Sequence, residues 1–490
     1  MKKQLKYIIS FCLGLVMVTS CKRELLSPVP QTFVADATAF DTPARIANQV
    51  TALYQTYKNG NFYGGRAQIA GDIRGEDFIN ETTNGVTGYN EWLLNTTGTS
   101  QNFVKNMWAQ AYQVINGCNL FIDGMAAKGT SVVGAALSNN YLGEARFLRA
   151  ASYLKLLEHY ARPFADGNGG KPGLPLRLVG IKESGSSALA RSTVAEVYTQ
   201  IIADLDFAEA NLPLGYFTTG TTPDPAKNTT RAHRNTAIAL KTRVYLAKQD
   251  YAKVITEANK IVGQNTAPFS ATSGVAHALQ ASIVNVFRTP YTTTESIFSM
   301  PMTSTAGDNP GTQNQLGFYW SKSTGGGEFS LNPSGIIADA GWTAADARRG
   351  FVATVSSKIY LNTKFNAPSP YTDYAPVIRY SDVLLSLAEA LARTNTGVNA
   401  RALALLNAVR QRSDAATTLA PADQAALIAA ILTERRIEFL GEGLRNFDQM
   451  RLLQTIPAKG SVLAKPASES GYIWPISADE LSLNPLMTDN

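Results

Sequence analysis

Apolar residues recur at helical spacing over much of the chain. Phe147, Ala150, Leu154 and Leu157 fall at i, i+3, i+7 and i+10 within 142–160, and Ala237, Leu240, Val244 and Ala247 repeat the pattern within 232–248. Val254, Ala258 and Ile261 resume it after a break at Gln249-Asp250. Residues three and four apart share one helix face, so each stripe predicts an amphipathic helix. The same reading predicts helices over 42–58, 102–127, 193–211, 380–394, 398–413 and 421–440. Thr193 followed by Glu196 is a capping box that sets one start, and Pro421 suits the first turn of another.

Two helix pairs repeat a theme, 232–248 with 250–263 and 380–394 with 398–413. Each joins alanine-rich helices by a short turn at close to tetratricopeptide length, without the full tetratricopeptide consensus. Such a pair leaves one face uncovered unless a neighbour stacks on it. Two excursions, 59–101 and 265–378, lack helical period and are rich in Gly, Thr, Ser, Asn and Pro. Only short strands such as Ser296–Met300 are expected there. The fold class is therefore mainly α: one domain over 33–490, a tetratricopeptide-like scaffold of helical pairs with a large irregular, loop-rich face.

The first residues follow a different grammar. Lys2, Lys3 and Lys6 precede an apolar run from Tyr7 to Val18, too short to span a bilayer, which marks residues 1–20 as a secretory signal peptide. The run ends Val18-Thr19-Ser20-Cys21, which resembles a lipoprotein cleavage box and makes Cys21 the expected lipidation site. Residues 21–32, with Pro28 and Pro30, read as an extended tether. Of three cysteines, Cys12 lies in the leader and Cys21 carries lipid, so Cys118 has no disulfide partner and reads as a small core residue.

Composition removes whole classes. Apolar residues make up 45% and charged residues 17%, which excludes a disordered chain. Taking the three leader lysines from 44 basic residues leaves 41 against 38 acidic, no footprint for nucleic acid. The three histidines, His159, His233 and His277, are too dispersed for a metal motif. Asp72, Glu76 and Asp77 lack a calcium-loop pattern and read as solvated loop acids. Gly325-Gly326-Gly327 reads as a flexible loop rather than a phosphate cradle. No cofactor or metal is expected.

The densest run of charge is Glu434-Arg435-Arg436-Ile437-Glu438-Phe439-Leu440-Gly441-Glu442-Gly443-Leu444-Arg445-Asn446-Phe447-Asp448-Gln449-Met450-Arg451. Ile428, Leu432 and Phe439 mark a core-facing stripe beside it, so its charges must be paired or they cost several kcal/mol. Glu434, Arg435, Arg436, Glu438, Glu442, Arg445, Asp448 and Arg451 are expected to form a structural ion-pair motif, with Asp448 within helical reach of Arg445 and Arg451. Gly441 and Gly443 suggest a helix end and tight turn. The alternative makes Glu434 and Glu438 a catalytic carboxylate pair of a glycoside hydrolase. The neighbouring arginines oppose it, since they would hold both acids ionised and a general acid needs a raised pKa.

This run resembles the signature of the SusD/RagB family of nutrient-binding outer-membrane lipoproteins of Bacteroidetes. Other stretches agree in order: Glu144-Ala145-Arg146-Phe147-Leu148-Arg149-Ala150, Ile378-Arg379-Tyr380-Ser381-Asp382-Val383, Leu406-Asn407-Ala408-Val409-Arg410-Gln411-Arg412 and Trp474-Pro475-Ile476. The resemblance implies a tetratricopeptide-like scaffold, lipid anchorage at the outer membrane facing the cell exterior, and a SusC-like TonB-dependent transporter as partner. It implies a non-enzymatic protein that captures an oligosaccharide and delivers it to that transporter. A surface glycoside hydrolase, or the same scaffold binding peptide or another nutrient, are the alternatives. Cys21 is followed by Lys22-Arg23-Glu24, where family members often carry a more acidic export stretch.

Sugar rings have apolar C–H faces and a polar hydroxyl rim, so a site wants aromatic platforms flanked by amides or charges. Tyr89, Asn90 and Trp92 in the first excursion, and Phe318, Tyr319 and Trp320 in the second, are the ligand-binding candidates. Packing of these rings onto the scaffold is the competing reading. Trp108 and Trp474 are expected in the core.

Overall fold

The computed structural model describes residues 38–183 and 188–490. The leader, Cys21 and the 21–32 tether lie outside the described residues. The helices that position the rest are α1 (Pro43–Tyr57), α2 (Arg66–Ile73), α3 (Asn106–Gly124), α4 (Ala135–Tyr160), α5 (Val194–Asn211), α6 (Arg234–Ala247), α7 (Tyr251–Ala258), α8 (Tyr380–Thr394), α9 (Ala400–Ser413), α10 (Gln424–Glu438) and α11 (Arg445–Arg451). They stack as a solenoid: α3 on α4, α4 on α5, α5 on α6, α6 on α7, α7 on α8, then α8 against both α9 and α10. The two sequence-read helix pairs are thus direct neighbours, and each covers the face the other would expose.

Local chemistry explains the boundaries. The Glu196 backbone N–H donates to the Thr193 hydroxyl at 3.2 Å, and Thr193 N–H donates to the Glu196 carboxylate at 2.7 Å, which completes the capping box of α5. Asp423 caps α10 by accepting from Ala426 N–H at 2.8 Å. Pro421 therefore lies before the cap and not in the first helical turn. Helix α4 starts at Ala135, seven residues before the 142–160 segment read from its stripe, because its opening turns are largely solvent-facing. Cys118 is fully buried on α3, and burial pushes its thiol up to about 12, the behaviour of a core residue.

The two excursions are not loose. Strand β1 (Phe78–Asn80) of the first pairs antiparallel with β3 (Phe329–Leu331) of the second, Phe78 opposite Leu331. Strand β2 (Ser296–Met300) pairs antiparallel with β6 (Ala375–Arg379), which runs straight into α8. This ladder closes the base of the second excursion, and β4 (Ala353–Val355) with β5 (Lys358–Tyr360) forms a hairpin within it. The excursions therefore make one layer across the helical solenoid.

That layer meets the signature run at a very close approach. Gly443 has φ +82° and Gly441 φ +84°, so the chain turns sharply between α10 and α11. A Cβ on Gly443 would lie 2.4 Å from the Gln68 carbonyl oxygen, and one on Gly71 would lie 2.0 Å from the Gly443 carbonyl oxygen. Helix α2 and the 441–443 turn touch backbone to backbone, and only glycine fits. Gly443→Ala should lower stability by about 2 kcal/mol or more, from left-handed strain plus the clash. Urea unfolding checks this; a wild-type midpoint would refute it.

Candidate functional site

Most aromatic side chains of the excursions are core. Trp92 and Tyr319 are buried, and Trp320 is 0% exposed. Trp92 Nε1 donates to the Phe78 carbonyl at 2.8 Å, Tyr319 Oη donates to the Gln313 carbonyl at 3.0 Å, and Trp320 stacks on Phe78 at 4.3 Å. These three candidates are buried rather than open: Trp92 and Tyr319 pack within their own excursions, and Trp320 joins the second excursion to the first through Phe78. Trp108 and Trp474 are buried as expected. Tyr89 and Phe318 remain half-buried and Asn90 exposed.

Phe318 belongs to a second group of rings. Its ring meets Tyr371 edge-on at 6.0 Å, and Tyr291 stacks on Tyr374 at 4.9 Å with planes 20° apart. Asp373 ties the halves together. Its Oδ1 accepts from Tyr291 Oη at 3.2 Å, and its Oδ2 accepts from Ala367 N–H at 2.9 Å. A Cβ on Gly317, next to Phe318, would sit 3.3 Å from the Tyr371 ring and 3.5 Å from Asp373 Oδ2. Burial raises the Asp373 pKa, partly offset by these donors. All four rings are half-buried, with part of each open to solvent.

The backbone holds these rings deliberately. Tyr291 has φ +63° and Tyr371 φ +59°, left-handed conformations that large side chains avoid. Bulky residues held this way persist where the surroundings over-determine them, and such strain clusters at binding sites. Arg288 pins the first by donating to the carbonyls of Phe287 at 2.7 Å and Thr363 at 2.6 Å. The glycine triplet is also no flexible loop: Gly326 and Gly327 N–H groups donate to the Phe318 carbonyl, and a Cβ on Gly326 would press on the Phe318 ring at 2.9 Å. Of these four rings the sequence pattern singles out only Phe318, and it passes over Tyr291. Its signal is only a lone tyrosine after a proline.

The ion-pair motif lies beneath this layer. Arg379 Nη1 reaches Glu295 at 2.6 Å and Glu438 at 2.7 Å, while its Nε and Nη2 hold the Glu442 carboxylate at 2.8 Å each. Glu438 also accepts from Arg412 at 2.6 Å and Arg348 at 2.9 Å. Glu434 accepts from Arg348 at 2.7 Å and pairs with Arg410 at 2.5 Å. Arg435 bridges Asp448 and Asp382, each at 2.9 Å, and Arg451 joins Glu389 at 2.6 Å to Asp448 at 2.8 Å.

Two expectations about partners are corrected. Arg445 does not pair with Asp448; it reaches Glu76 at 2.5 Å, and Arg436 holds Asp77 at 2.5 Å. Asp72, Glu76 and Asp77 are accordingly not solvated: all three are buried, and Asp72 accepts from Gly443 N–H at 2.9 Å. They are the first excursion's half of the motif.

Electrostatics opposes Glu438 as the general acid of a catalytic pair. Burial would raise the Glu438 pKa, but Arg412, Arg379 and Arg348 outweigh it and hold the carboxyl well below its ordinary range. Glu438 is 1% exposed and Glu434 0%, so neither meets a substrate. Folding brings His233 and His277 into a ring stack at 5.3 Å, yet no cluster of three metal-ligating side chains occurs among the described residues. No described helix is long and apolar enough to cross a membrane.

Comparison with known proteins agrees with this architecture. Residues 351–490 match the model of the SusD family, and residues 28–246 match a model described as starch-binding associating with outer membrane. SusD-like protein P2 of Formosa agariphila is 24% identical over 99% of both chains. A SusD superfamily protein of Bacteroides fragilis is 30% identical, covers 92% of this chain and 99% of its own, and superposes with a TM-score of 0.79. One from Bacteroides thetaiotaomicron shares the fold with the same coverage and a TM-score of 0.79 at 21% identity.

Glu438→Gln leaves three arginines facing a neutral amide. It should cost about 3–5 kcal/mol, read as a drop in urea midpoint. The network also sets acid stability. In Asp382 burial is outweighed by Arg243 and Arg435, and in Glu389 by Arg451 and Arg393, so both ionise at about 2. Their unfolded values lie near 4, so ionisation stabilises the folded state. That contribution is complete above a pH of about 4.5 and is lost as pH falls toward about 2. Urea midpoints should therefore drop steeply between those limits; a flat profile there would contradict the ion-pair account.

Proposed function

The chain belongs to the SusD superfamily, and from that membership we propose that it is a surface-exposed outer-membrane lipoprotein that captures glycan without cleaving it. It passes the captured oligosaccharide to a SusC-like TonB-dependent transporter. The anchor is the lipid on Cys21, and the 21–32 tether spaces the body from the membrane. The family description, starch-binding associating with outer membrane, supports glycan as cargo.

The observation that carries the reading is the ring group of Phe318, Tyr291, Tyr371 and Tyr374. Four partly open rings on one strained and braced layer offer apolar faces to pyranose C–H groups. Asp373, buried among them, fixes the rings by accepting from the Tyr291 hydroxyl and the Ala367 amide. Each ring adds roughly 0.5–1.5 kcal/mol beyond its buried area, so several together give useful affinity. Tyr89, half-buried, and Asn90, exposed, remain open candidates on the first excursion. The hydrolase alternative has no support in the geometry of Glu434 and Glu438.

The test begins with full-length protein in mild detergent on a glycan and peptide array. On the best glycan, Tyr374→Ala and Phe318→Ala should each weaken binding about ten-fold, close to 1.4 kcal/mol. Trp320→Ala should instead destabilise the fold by about 3–5 kcal/mol, because it empties a core position. Unchanged affinity in both surface-ring variants, with wild-type melting, would remove the platform from the site.

A further inference from the structure

A separate cleft of about 770 Å³ opens on a different set of elements. Its walls come from Leu94–Thr96, the segment after α4 that carries Arg162 and Lys171, Leu453, and the loop from Lys465 to Ile473. That volume lies within the range of small-ligand sites. No aromatic side chain among the described residues lines it, so ring stacking is not its means of holding a sugar.

Its chemistry is donor-rich. Arg162 Nε donates to Asp166 at 2.5 Å, but its two terminal nitrogens have no hydrogen-bond acceptor among the described residues. Lys171 meets the same Asp166 at 2.9 Å, so that carboxylate is held by two cations. Lys465 Nζ stands 3.6 Å from Glu469, beyond hydrogen-bond distance. Three cationic side chains thus face two acidic ones, one of the acids already doubly paired. Ser468 and Ser470 add small polar groups to the rim, and the Thr96 hydroxyl is buried there with no partner.

The walls are built rather than incidental. Leu94 has φ +54° and Leu453 φ +51°, two bulky residues in left-handed backbone on one cleft. Gly471 turns with φ +84°, where a Cβ would lie 3.0 Å from the Leu94 carbonyl oxygen. Arg74 braces that wall from behind, donating to the carbonyls of Gly471 at 3.3 Å and Tyr472 at 2.7 Å. The Arg162 guanidinium is steadied over the Tyr472 ring at 5.1 Å.

We propose that this cleft is a second saccharide site, which takes a sugar unit bearing a carboxylate or sulfate group through Arg162 and Lys465. The proposal rests on the glycan-capture reading and adds to it a class of cargo that the ring platform does not select. Arginine suits the role because its fork presents two parallel N–H groups to a planar carboxylate or to sulfate oxygens. Because the anchoring groups are partly exposed, binding should weaken with added salt.

Full-length protein in detergent is titrated with oligogalacturonate as the carboxylate probe, carrageenan oligosaccharides as the sulfate probe and maltoheptaose as the neutral control. At least one acidic probe should bind, with affinity falling as NaCl rises, and whichever binds names the anion. Arg162→Gln with Lys465→Gln should weaken it at least ten-fold. Lys465→Gln alone, at a surface lysine that leaves the fold intact, should weaken it about three-fold. Tyr374→Ala should leave acidic binding unchanged. The cleft is refuted if neither acidic probe binds, if the double variant binds as tightly as wild type, or if Tyr374→Ala abolishes acidic binding. Neutral binding without acidic binding overturns the cleft alone. Acidic binding that follows the double variant, with no neutral binding, supports the cleft and counts against the platform.

Discussion

Arg379 is the joint on which the structure depends. It ends β6, opens α8, and is 2% exposed, with three carboxylates from three parts of the chain around it. A guanidinium taken out of water costs several kcal/mol, and only a complete set of well-placed acids offsets that. Glu295 precedes β2, Glu438 ends α10, and Glu442 lies in the turn after it. The cluster is stable only when the second excursion, the last solenoid helices and the signature turn are all in place. Partial assembly would strand a buried charge, so the ion pairs act less as glue than as a requirement that these elements assemble together.

The same logic extends outward to the loops. Arg436 and Arg445 reach across to Asp77 and Glu76, which flank the start of β1, while Gly71 and Gly443 bring α2 against the signature turn. β1 then pairs with β3, and Trp320 stacks on Phe78 across the two excursions. An unbroken chain of contacts therefore runs from the charge cluster to the layer that carries the open rings. This is why long segments without helical period can hold tyrosines in left-handed backbone: the strain is set against a wall that cannot relax. If the rings bind cargo as proposed, a platform prepared in this way loses little side-chain freedom on binding.

What the sequence disclosed follows from how far each interaction reaches along the chain. Helices α5 and α8 were legible almost to the residue because stripes and caps are local, and β2 because its run is short and β-favouring. The ionic character of the signature run was legible from apolar positions beside its charges. Its partners were not: Asp72, Glu76 and Asp77 lie hundreds of positions upstream in a segment whose composition resembles solvated loop. Trp92 and Trp320 misled for the same reason. Glycine-rich surroundings suggest exposure, whereas here they let two excursions close on the rings. Tyr291 carried no pattern at all, and only the fold sets it against Tyr374.

Capture and hydrolysis make opposite demands on carboxylates. A hydrolase needs one acid kept protonated and poised beside the substrate. In this chain the acids that share a helix face, Glu434 and Glu438, are locked by several arginines and closed to solvent. Loosening them to reach a substrate would break the joint around Arg379, so the groups most suggestive of catalysis are those the fold can least spare. On the capture reading proposed above, contacts with cargo fall to rings and partly exposed cations, whose individual contributions are modest. Under the proposed hand-over to a transporter, modest contributions suit the surface, because cargo can be drawn from it only if the transporter's grip is stronger or the surface is separated from it.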